Sequence, residues 1–371
     1  MATQPLVLFD QLSTVNGKVI GVATLNNIKA LNALSLPMIE MLQQQLDVWR
    51  EERDVVCVVL RGAGERAFCA GGDVVSLYSH AAAYGETLAD DFGQCFFAAE
   101  YRLDYSIHTY PKPVVVLGSG VVMGGGIGLM VGASHRVVTE SSRLAMPEVA
   151  IGLYPDVGAS YFLSRLPGQL GRFLGLTGAS FNGADAIFLG FADHAVPDST
   201  LKSLPEQLTT LPWAGVRSQD SELLDHHFGQ QNNQSELPVG GVQSELAQIN
   251  ACSNGTLLDV IEQIKACPWQ NGWLQKSAEG LVSACPVSMR IVDEQLIRGS
   301  KLQLKQVFQM ELAMSVNAMQ SGHFKEGVRA ALIDKDKAPK WCPERLDLVT
   351  DAEIEAFFRA PGWGGHPLAD L

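Results

Sequence analysis

GSGVVMGGGIGLMVGASHRVVTESSRLAMPEVAIGLYPDVG, from Gly118 to Gly158, holds a triple-glycine turn and two carboxylates, Glu148 and Asp156, in one short span. Just before its glycines, Val114 to Leu117 is a short apolar, β-branched run of the kind that forms a buried strand, and Gly124-Gly125-Gly126 then breaks the chain. Ile127, Leu129, Met130 and Val131 continue to Gly132 without a turn signal, which predicts a short buried helix starting at the glycines. The first amides of such a helix have no partner within it and lie at the positive end of its dipole. They can therefore hold an anion or a polarised carbonyl oxygen.

The same arrangement occurs once more upstream. Val55 to Leu60 reads as a buried strand and runs into RGAGERAFCAGGDVVSLY, where Gly71-Gly72 interrupts the chain before a helix beginning near Asp73. Two strand–glycine turn–helix units, with helices between short apolar strands, predict an α/β fold whose turns project from one end of the strands. Around them, Val19 to Leu25 reads as a strand. A helix from about Leu36 to Arg53 has Ser35 at its N-cap, Pro37 in its first turn and Met38, Leu42, Leu46 and Trp49 on one face. Residues 81–110 are helical in pattern and carry Glu100 among aromatic and apolar neighbours, and a further helix follows Asp156 to about Leu166. From Leu204 to Gly241 the composition shifts to Gln, Ser, Asn and Pro. That shift predicts a core over 1–205, a polar linker or insertion over 206–243, and a helical C-terminal region over 244–371, with Ser244 to Ile264 and Met289 to Ser321 as helical runs.

A net charge of -13 and a pI near 5.1 argue against nucleic acid or an anionic membrane as partner, because both are bound through clustered Lys and Arg. No apolar run approaches the roughly 18 to 20 residues of a membrane span. Seven scattered cysteines, never paired as C-x-x-C, and an opening MATQPLVLFD without leader character predict a reducing, cytoplasmic setting. Neither a G-x-S-x-G elbow nor H-E-x-x-H is present, and His226-His227 has no acidic or cysteine ligands at metal spacing, so no metal is expected. Met123 stands where a dinucleotide fingerprint needs its third glycine, so no NAD is expected either. Cys69 reads as packing, with no neighbouring histidine to activate it.

Glu148 and Asp156 are eight residues apart, but Gly152 and Pro155 exclude one continuous helix, so the two meet only through a loop. Glu148 is embedded in Ala145, Met146, Val149, Ala150 and Ile151, and burial there raises its pKa towards the range of a general acid or base. The alternative is a carboxylate at the surface end of a strand. Asp156 has two open readings, a site carboxylate or the N-cap of the helix that follows. The glycines likewise read either as tight turns or as close-approach donors.

RAFCAGGD, GVVMGGGIGL, MPEVAIGLYPDVGASYFLSRL and FKEGVRAALIDKDKAPKW, in this order and at these intervals, together resemble the crotonase (enoyl-CoA hydratase/isomerase) superfamily, over about residues 15 to 345. The resemblance implies a spiral of ββα units that binds acyl-CoA thioesters, with a helical C-terminal region covering the ligand. It implies an oxyanion hole on the N–H groups of Gly72 and Gly125, site carboxylates at Glu148 and Asp156, and a substrate contact at Glu100. It implies no cofactor, since coenzyme A belongs to the substrate. A homo-oligomer is one expectation from it, and a C-terminal region that covers the contact surface instead is the other.

The resemblance also separates chemistries. Hydratases of the superfamily place a catalytic glutamate two residues after the glycine triplet, where this chain has Gly128, while acyl-CoA dehalogenases use the Asp156 position for a nucleophile. Addition of water across a double bond is thereby disfavoured, and hydrolysis of a short 3-hydroxyacyl-CoA thioester becomes the expected activity. Enoyl-CoA hydration or isomerisation is the alternative, and a non-catalytic acyl-CoA- or RNA-binding relative the more distant one. Hydroxyisobutyryl and hydroxypropionyl chains differ by one methyl, worth only about 1 to 3 kcal/mol in a pocket, so the acyl group stays open. For the coenzyme A phosphates the candidates are Arg66, before the first glycine turn, and Lys335, Lys337 and Lys340 in the basic C-terminal segment.

Overall fold

The computed structural model describes residues 5–371, with 83–91 described in backbone only; residues 1–4 of the N-terminal stretch considered above lie outside the described residues. In chain order, β1 (Val7–Ser13) and β2 (Val19–Leu25) precede helix α1 (Leu36–Glu51), then β3 (Val55–Gly62), β4 (Ala67–Cys69) and helix α2 (Val74–His108). Next come β5 (Val114–Leu117), β6 (Val121–Met123), α3 (Gly125–Val131), β7 (His135–Val138), β8 (Arg143–Ala145) and α4 (Ala159–Phe162). β9 (Phe181–Asn182) and β10 (His194–Ala195) follow, and then helices α5 (Arg217–Gln230), α6 (Pro286–Gly299) and α7 (Leu304–Gln320) with shorter ones between.

Six strands form one sheet in the order β1-β2-β3-β5-β7-β10, parallel except for the β1–β2 hairpin. Four form a second sheet, β4-β6-β8-β9. Successive turns therefore give one strand to each sheet and then a helix: β3 and β4 before α2, β5 and β6 before α3, β7 and β8 before α4. This is the ββα spiral the resemblance implies. Its parallel strands are covered on both faces, which is why β3 and β5 read as unbroken apolar runs rather than alternating ones.

The chain divides into two compact units assembled from non-contiguous pieces: Met1–Gly72, Leu103–Leu144 and Phe181–Gly240 in the first, Asp73–Arg102, Ala145–Ser180 and Gly241–Leu371 in the second. Of the boundaries expected at 205 and 243, the first falls inside the first unit, while the second lies close to the division between Gly240 and Gly241. In the first unit Ile20, Val22, Val59, Val115 and Val137 form the core of the larger sheet together with Trp213, Leu224 and Phe228. The last three belong to the stretch 206–243, expected as a polar linker or insertion. It contains α5, whose Leu224 and Phe228, one turn apart, are fully buried in that core.

Within the second unit, α6 and α7 bury Val287, Ile291 and Val292, and Val307, Phe308 and Leu312. The run expected over Met289–Ser321 is two helices, separated at residues 300–303, where Gln303 and Gln306 make the capping box of α7. Gly299, the last residue of α6, admits no side chain, because a Cβ there would lie 2.1 Å from the Ser160 carbonyl oxygen. The run expected over Ser244–Ile264 is likewise interrupted, between helices Leu246–Cys252 and Leu257–Ala266. α1 starts at Leu36 with Ser35 at its N-cap position, but the serine hydroxyl makes no capping bond.

Candidate active site

In the first unit β4 and β6 are parallel neighbours, pairing Ala67 with Val121 and Cys69 with Val122, so the two glycine turns leave the sheet at the same end. Gly71 (φ 107°) follows β4 and Gly124 (φ 47°) follows β6, backbone conformations that side chains rarely adopt. The turns pack against each other. A Cβ on Gly71 would lie 3.3 Å from the Met123 carbonyl oxygen and 3.7 Å from the Gly125 nitrogen, and one on Gly126 would lie 2.4 Å from the Cys69 carbonyl oxygen. Gly125 is the first residue of α3, so its N–H has no partner inside the helix. Gly72 follows directly on the other turn, and Gly128, inside α3, presents no carboxylate. Cys69 is buried with its sulfur 3.4 Å from the Gly71 nitrogen, which fits packing of the turn. Gly126→Ala is expected to destabilise the protein by about 1 to 3 kcal/mol, the usual cost of overpacking, read as a lower urea midpoint.

In the second unit the chain leaves β8 through Pro147 into a 3-10 turn, Glu148–Ile151, that ends at Gly152 in the left-handed region (φ 72°). A Cβ on Gly152 would lie 2.3 Å from the His323 carbonyl oxygen, so only glycine lets the chain reverse here. It returns through Leu153, Tyr154 and Pro155 to Asp156, with the Pro155 carbonyl held by Gln295 at 2.7 Å. Val157 (φ 52°) and Gly158 (φ 90°) then turn it into α4. Glu148 and Asp156 meet through a loop, as expected, and both are buried, at 6% and 4% exposure. Glu100, from α2, is buried with them.

Burial pushes all three carboxyl groups up, and neighbouring negative charge adds to it at Glu148 and Glu100. Glu148 is raised well above the ordinary glutamate range by desolvation, then by Asp156 and Glu100. Glu100 is raised by desolvation and by Asp156. Asp156 rises to about 6 through desolvation, opposed by the hydroxyl of Tyr101, which donates to its Oδ2 at 2.6 Å, and by its own backbone. Oε2 of Glu148 and Oε1 of Glu100 accept no hydrogen bond from the described residues although both are buried. Such oxygens suit a water or a substrate hydroxyl. Of the two readings of Asp156, the capping one is not how its side chain is used: Gly158 is the N-cap of α4, and Asp156 spends its carboxylate on Tyr101.

The cap comes from elsewhere. Glu311, from α7 and fully buried, accepts the N–H of Gly158 at 2.7 Å and that of Ser160 at 2.8 Å, with its pKa raised to about 8 chiefly by desolvation. Beside it Ser315 Oγ lies 2.6 Å from the hydroxyl of Tyr101 and 2.7 Å from that of Tyr154. Tyr154 also donates to the Glu311 backbone carbonyl at 2.7 Å. Sequence reading missed Tyr101, Tyr154, Glu311 and Ser315. A usable signal was the spacing of Phe308, Glu311, Leu312 and Ser315, which places an acid and a hydroxyl on the apolar face of one helix.

These shifts share one sign. Each folded-state pKa lies above its unfolded value, so the stability they contribute is full below the ordinary carboxylate range and is lost as pH rises through the folded values. With Asp156 near 6 and Glu311 near 8, the melting temperature is expected to fall as pH rises from about 5 to 8. A melting temperature that climbs across that interval would contradict the assignment.

Arg66 is exposed in the first unit, its carbonyl accepting the Val121 N–H. Lys335, Lys337 and Lys340 are exposed in the second. The acidic groups of that segment gather on Arg329, which pairs with Glu326, Asp334 and Asp336, and Lys340 acts on Asp336 as well. The three lysines nonetheless keep exposed side chains. Among the described residues no three His, Cys, Asp or Glu side chains are placed to hold a metal ion, and no helix is long and apolar enough to cross a membrane.

The chain matches the enoyl-CoA hydratase/isomerase family over residues 20–358. It is 40% identical over 352 residues to a mitochondrial 3-hydroxyisobutyryl-CoA hydrolase of Danio rerio, covering 95% of this chain and 89% of that one. To the Homo sapiens protein of the same name it is 38% identical, covering 92% and 86%. Among solved structures it resembles a carnitinyl-CoA dehydratase from Mycobacterium thermoresistibile, with a TM-score of 0.83 and 35% identity over 97% of this chain and 98% of that one. An enoyl-CoA hydratase from Rhodobacter sphaeroides gives a TM-score of 0.82 and 33% identity over 96% and 98%.

Proposed function

This chain belongs to the enoyl-CoA hydratase/isomerase family, and from that premise we propose that it hydrolyses the thioester of 3-hydroxyisobutyryl-CoA to 3-hydroxyisobutyrate and free coenzyme A, a reaction of valine catabolism. The relatives above divide between hydrolases and enzymes that add or remove water at a carbon–carbon bond, and one observation decides between them. The carboxylate paired with Glu148 is Asp156, buried with it and coupled to it by charge, while α3 offers only Gly128 where a hydratase needs its second acid.

In this reading the N–H groups of Gly72 and Gly125 receive the thioester oxygen as it becomes negative; each such donor is typically worth about 100- to 1,000-fold in rate. Glu148 either takes a proton from the attacking water or attacks the carbonyl itself to form an anhydride. Asp156 orients the acyl hydroxyl or returns a proton to the departing thiolate, and Glu100 binds the hydroxyl. In the first route water adds to the acyl carbon and the carbon–sulfur bond breaks. In the second the Glu148 carboxylate adds and the carbon–sulfur bond breaks before water opens the anhydride. In both the thiolate leaves with a proton on sulfur. No cofactor is needed beyond the coenzyme A of the substrate, whose phosphates we assign to Arg66 and the Lys335–Lys340 segment. We place the chain in the reducing cytoplasm, on the scattered spacing of its seven cysteines.

The test is thiol release from 3-hydroxyisobutyryl-CoA with crotonyl-CoA in parallel. Rapid release from the hydroxyacyl thioester and an unchanged enoyl absorbance are expected; loss of enoyl absorbance without thiol would make the chain a hydratase. Single-turnover hydrolysis in oxygen-labelled water tests the simple general-base route, since label recovered in Glu148 or Asp156 of the protein means an anhydride and excludes it.

A further inference from the structure

Asp156 does not end at its own carboxylate. Its Oδ2 accepts from Tyr101, Tyr101 lies 2.6 Å from Ser315, Ser315 lies 2.7 Å from Tyr154, and Tyr154 lies 2.7 Å from the Glu311 carbonyl oxygen. Tyr101 and Ser315 come from distant helices and Tyr154 and Asp156 from one loop, and all four side chains are nearly or fully buried. Such a row of hydroxyls has two complete orders. With Asp156 ionised, Tyr101 donates to the carboxylate, Ser315 to Tyr101, and Tyr154 to the Glu311 carbonyl. With Asp156 protonated, its O–H donates to Tyr101, Tyr101 to Ser315, Ser315 to Tyr154, and Tyr154 to the Glu311 carbonyl. In both orders every hydroxyl hydrogen has an acceptor, so neither protonation state leaves a buried donor orphaned.

We propose that Tyr101, Ser315 and Tyr154 form a reversible hydroxyl chain that lets the buried Asp156 take up a proton and give it back, with Tyr101 as the positioning residue in direct contact. The proposal rests on the reading of Asp156 as a group that handles protons during hydrolysis. No proton travels along the chain. The Tyr101 and Ser315 O–H groups rotate about their C–O bonds while Tyr154 keeps donating to the Glu311 carbonyl, and the one proton gained or lost is that on Asp156. An aspartate held by a fixed one-way donor would favour ionisation only, and a buried one with no donor would stay protonated.

The chain makes two variants differ in sign. Tyr101→Phe removes the donor to the carboxylate, so the ionisation of Asp156 moves up from about 6, by about one pH unit, the worth of a charge-assisted hydrogen bond. Ser315→Ala keeps that donor but removes the acceptor Tyr101 needs when Asp156 is protonated, so the ionisation moves down. A one-way chain predicts the reverse for Ser315→Ala, because Tyr101 would lose the donor that polarises it. Glu100, Glu148, Tyr154 and Glu311 also act on Asp156 or answer to its charge, so the titration is read on the Asp156 carboxyl carbon by NMR, assigned by its absence in Asp156→Asn.

The experiment is that titration in the wild-type protein, Tyr101→Phe and Ser315→Ala, beside the pH profile of single-turnover thiol release from 3-hydroxyisobutyryl-CoA. An upward shift in the first variant and a downward shift in the second, followed by the acid limb of the rate profile, is the expected result. Equal shifts in both, or an upward shift in Ser315→Ala, would overturn the reversible chain. Should Tyr101→Phe not fold, the direction in Ser315→Ala decides alone. If the wild-type protein releases no thiol, the hydrolase reading fails, and the carboxyl titration still decides the chain.

Discussion

Glu148→Gln is expected to lower kcat for thioester hydrolysis by about 100- to 10,000-fold, the usual contribution of a positioned general base, with KM changed far less. The substitution is nearly isosteric and removes only the ability to take a proton or attack. Because the Glu148 carboxyl is buried, raised by desolvation and pushed further by Asp156 and Glu100, a neutral amide is the better guest at that position. The melting temperature of the variant should therefore equal or exceed that of the wild type. Loss of activity together with a clear loss of stability would mean that Glu148 holds the turn rather than performing the reaction. Retained activity would remove it from the reaction altogether.

Glu311→Ala should have the largest effect on stability, about 3 to 5 kcal/mol, through the loss of two strong hydrogen bonds and the volume of a buried side chain. The Gly158 and Ser160 N–H groups would lose their acceptor at the point where Val157 and Gly158 hold the chain in the left-handed region. Asp156 stands directly before this turn, so hydrolysis should fail as well. Glu311→Gln keeps one accepting oxygen but turns an amide NH2 towards the other N–H, and it should lie between alanine and wild type. The urea midpoint at unchanged m-value measures both. A cost for alanine under 1 kcal/mol would show that α4 supports itself.

Much of the fold was legible because its signals are local. β2 and β5 fall at the residues where the apolar runs do, and the glycine turns of β4 and β6 follow from residues that cannot continue a strand. Glu148 and Asp156 stood out because charge in an apolar run and a Pro-Asp before a helix both demand an explanation. The stretch 206–243, expected as a polar linker or insertion, hid a packed helix for the opposite reason. Its composition is polar because most faces of α5 meet water, while two residues one turn apart, Leu224 and Phe228, carry the packing. Glu311 acts over 151 and 153 residues of chain and Ser315 over 161 and 214, and no local pattern encodes a partner at that distance.

Glu100, Glu148, Asp156 and Glu311 are buried together, and the largest influences on each are burial, one another and hydrogen bonds rather than a lysine, arginine or histidine. For anyone improving this protein by directed evolution, that crowding is a trap. Screening a library for survival after heating would enrich amides at Glu100, Glu148 and Asp156, since each replaces a costly buried charge with a neutral group of the same shape. The winners would be robust and inert. Heat selection on this scaffold has to be interleaved with a turnover assay, or confined to positions outside the carboxylate cluster.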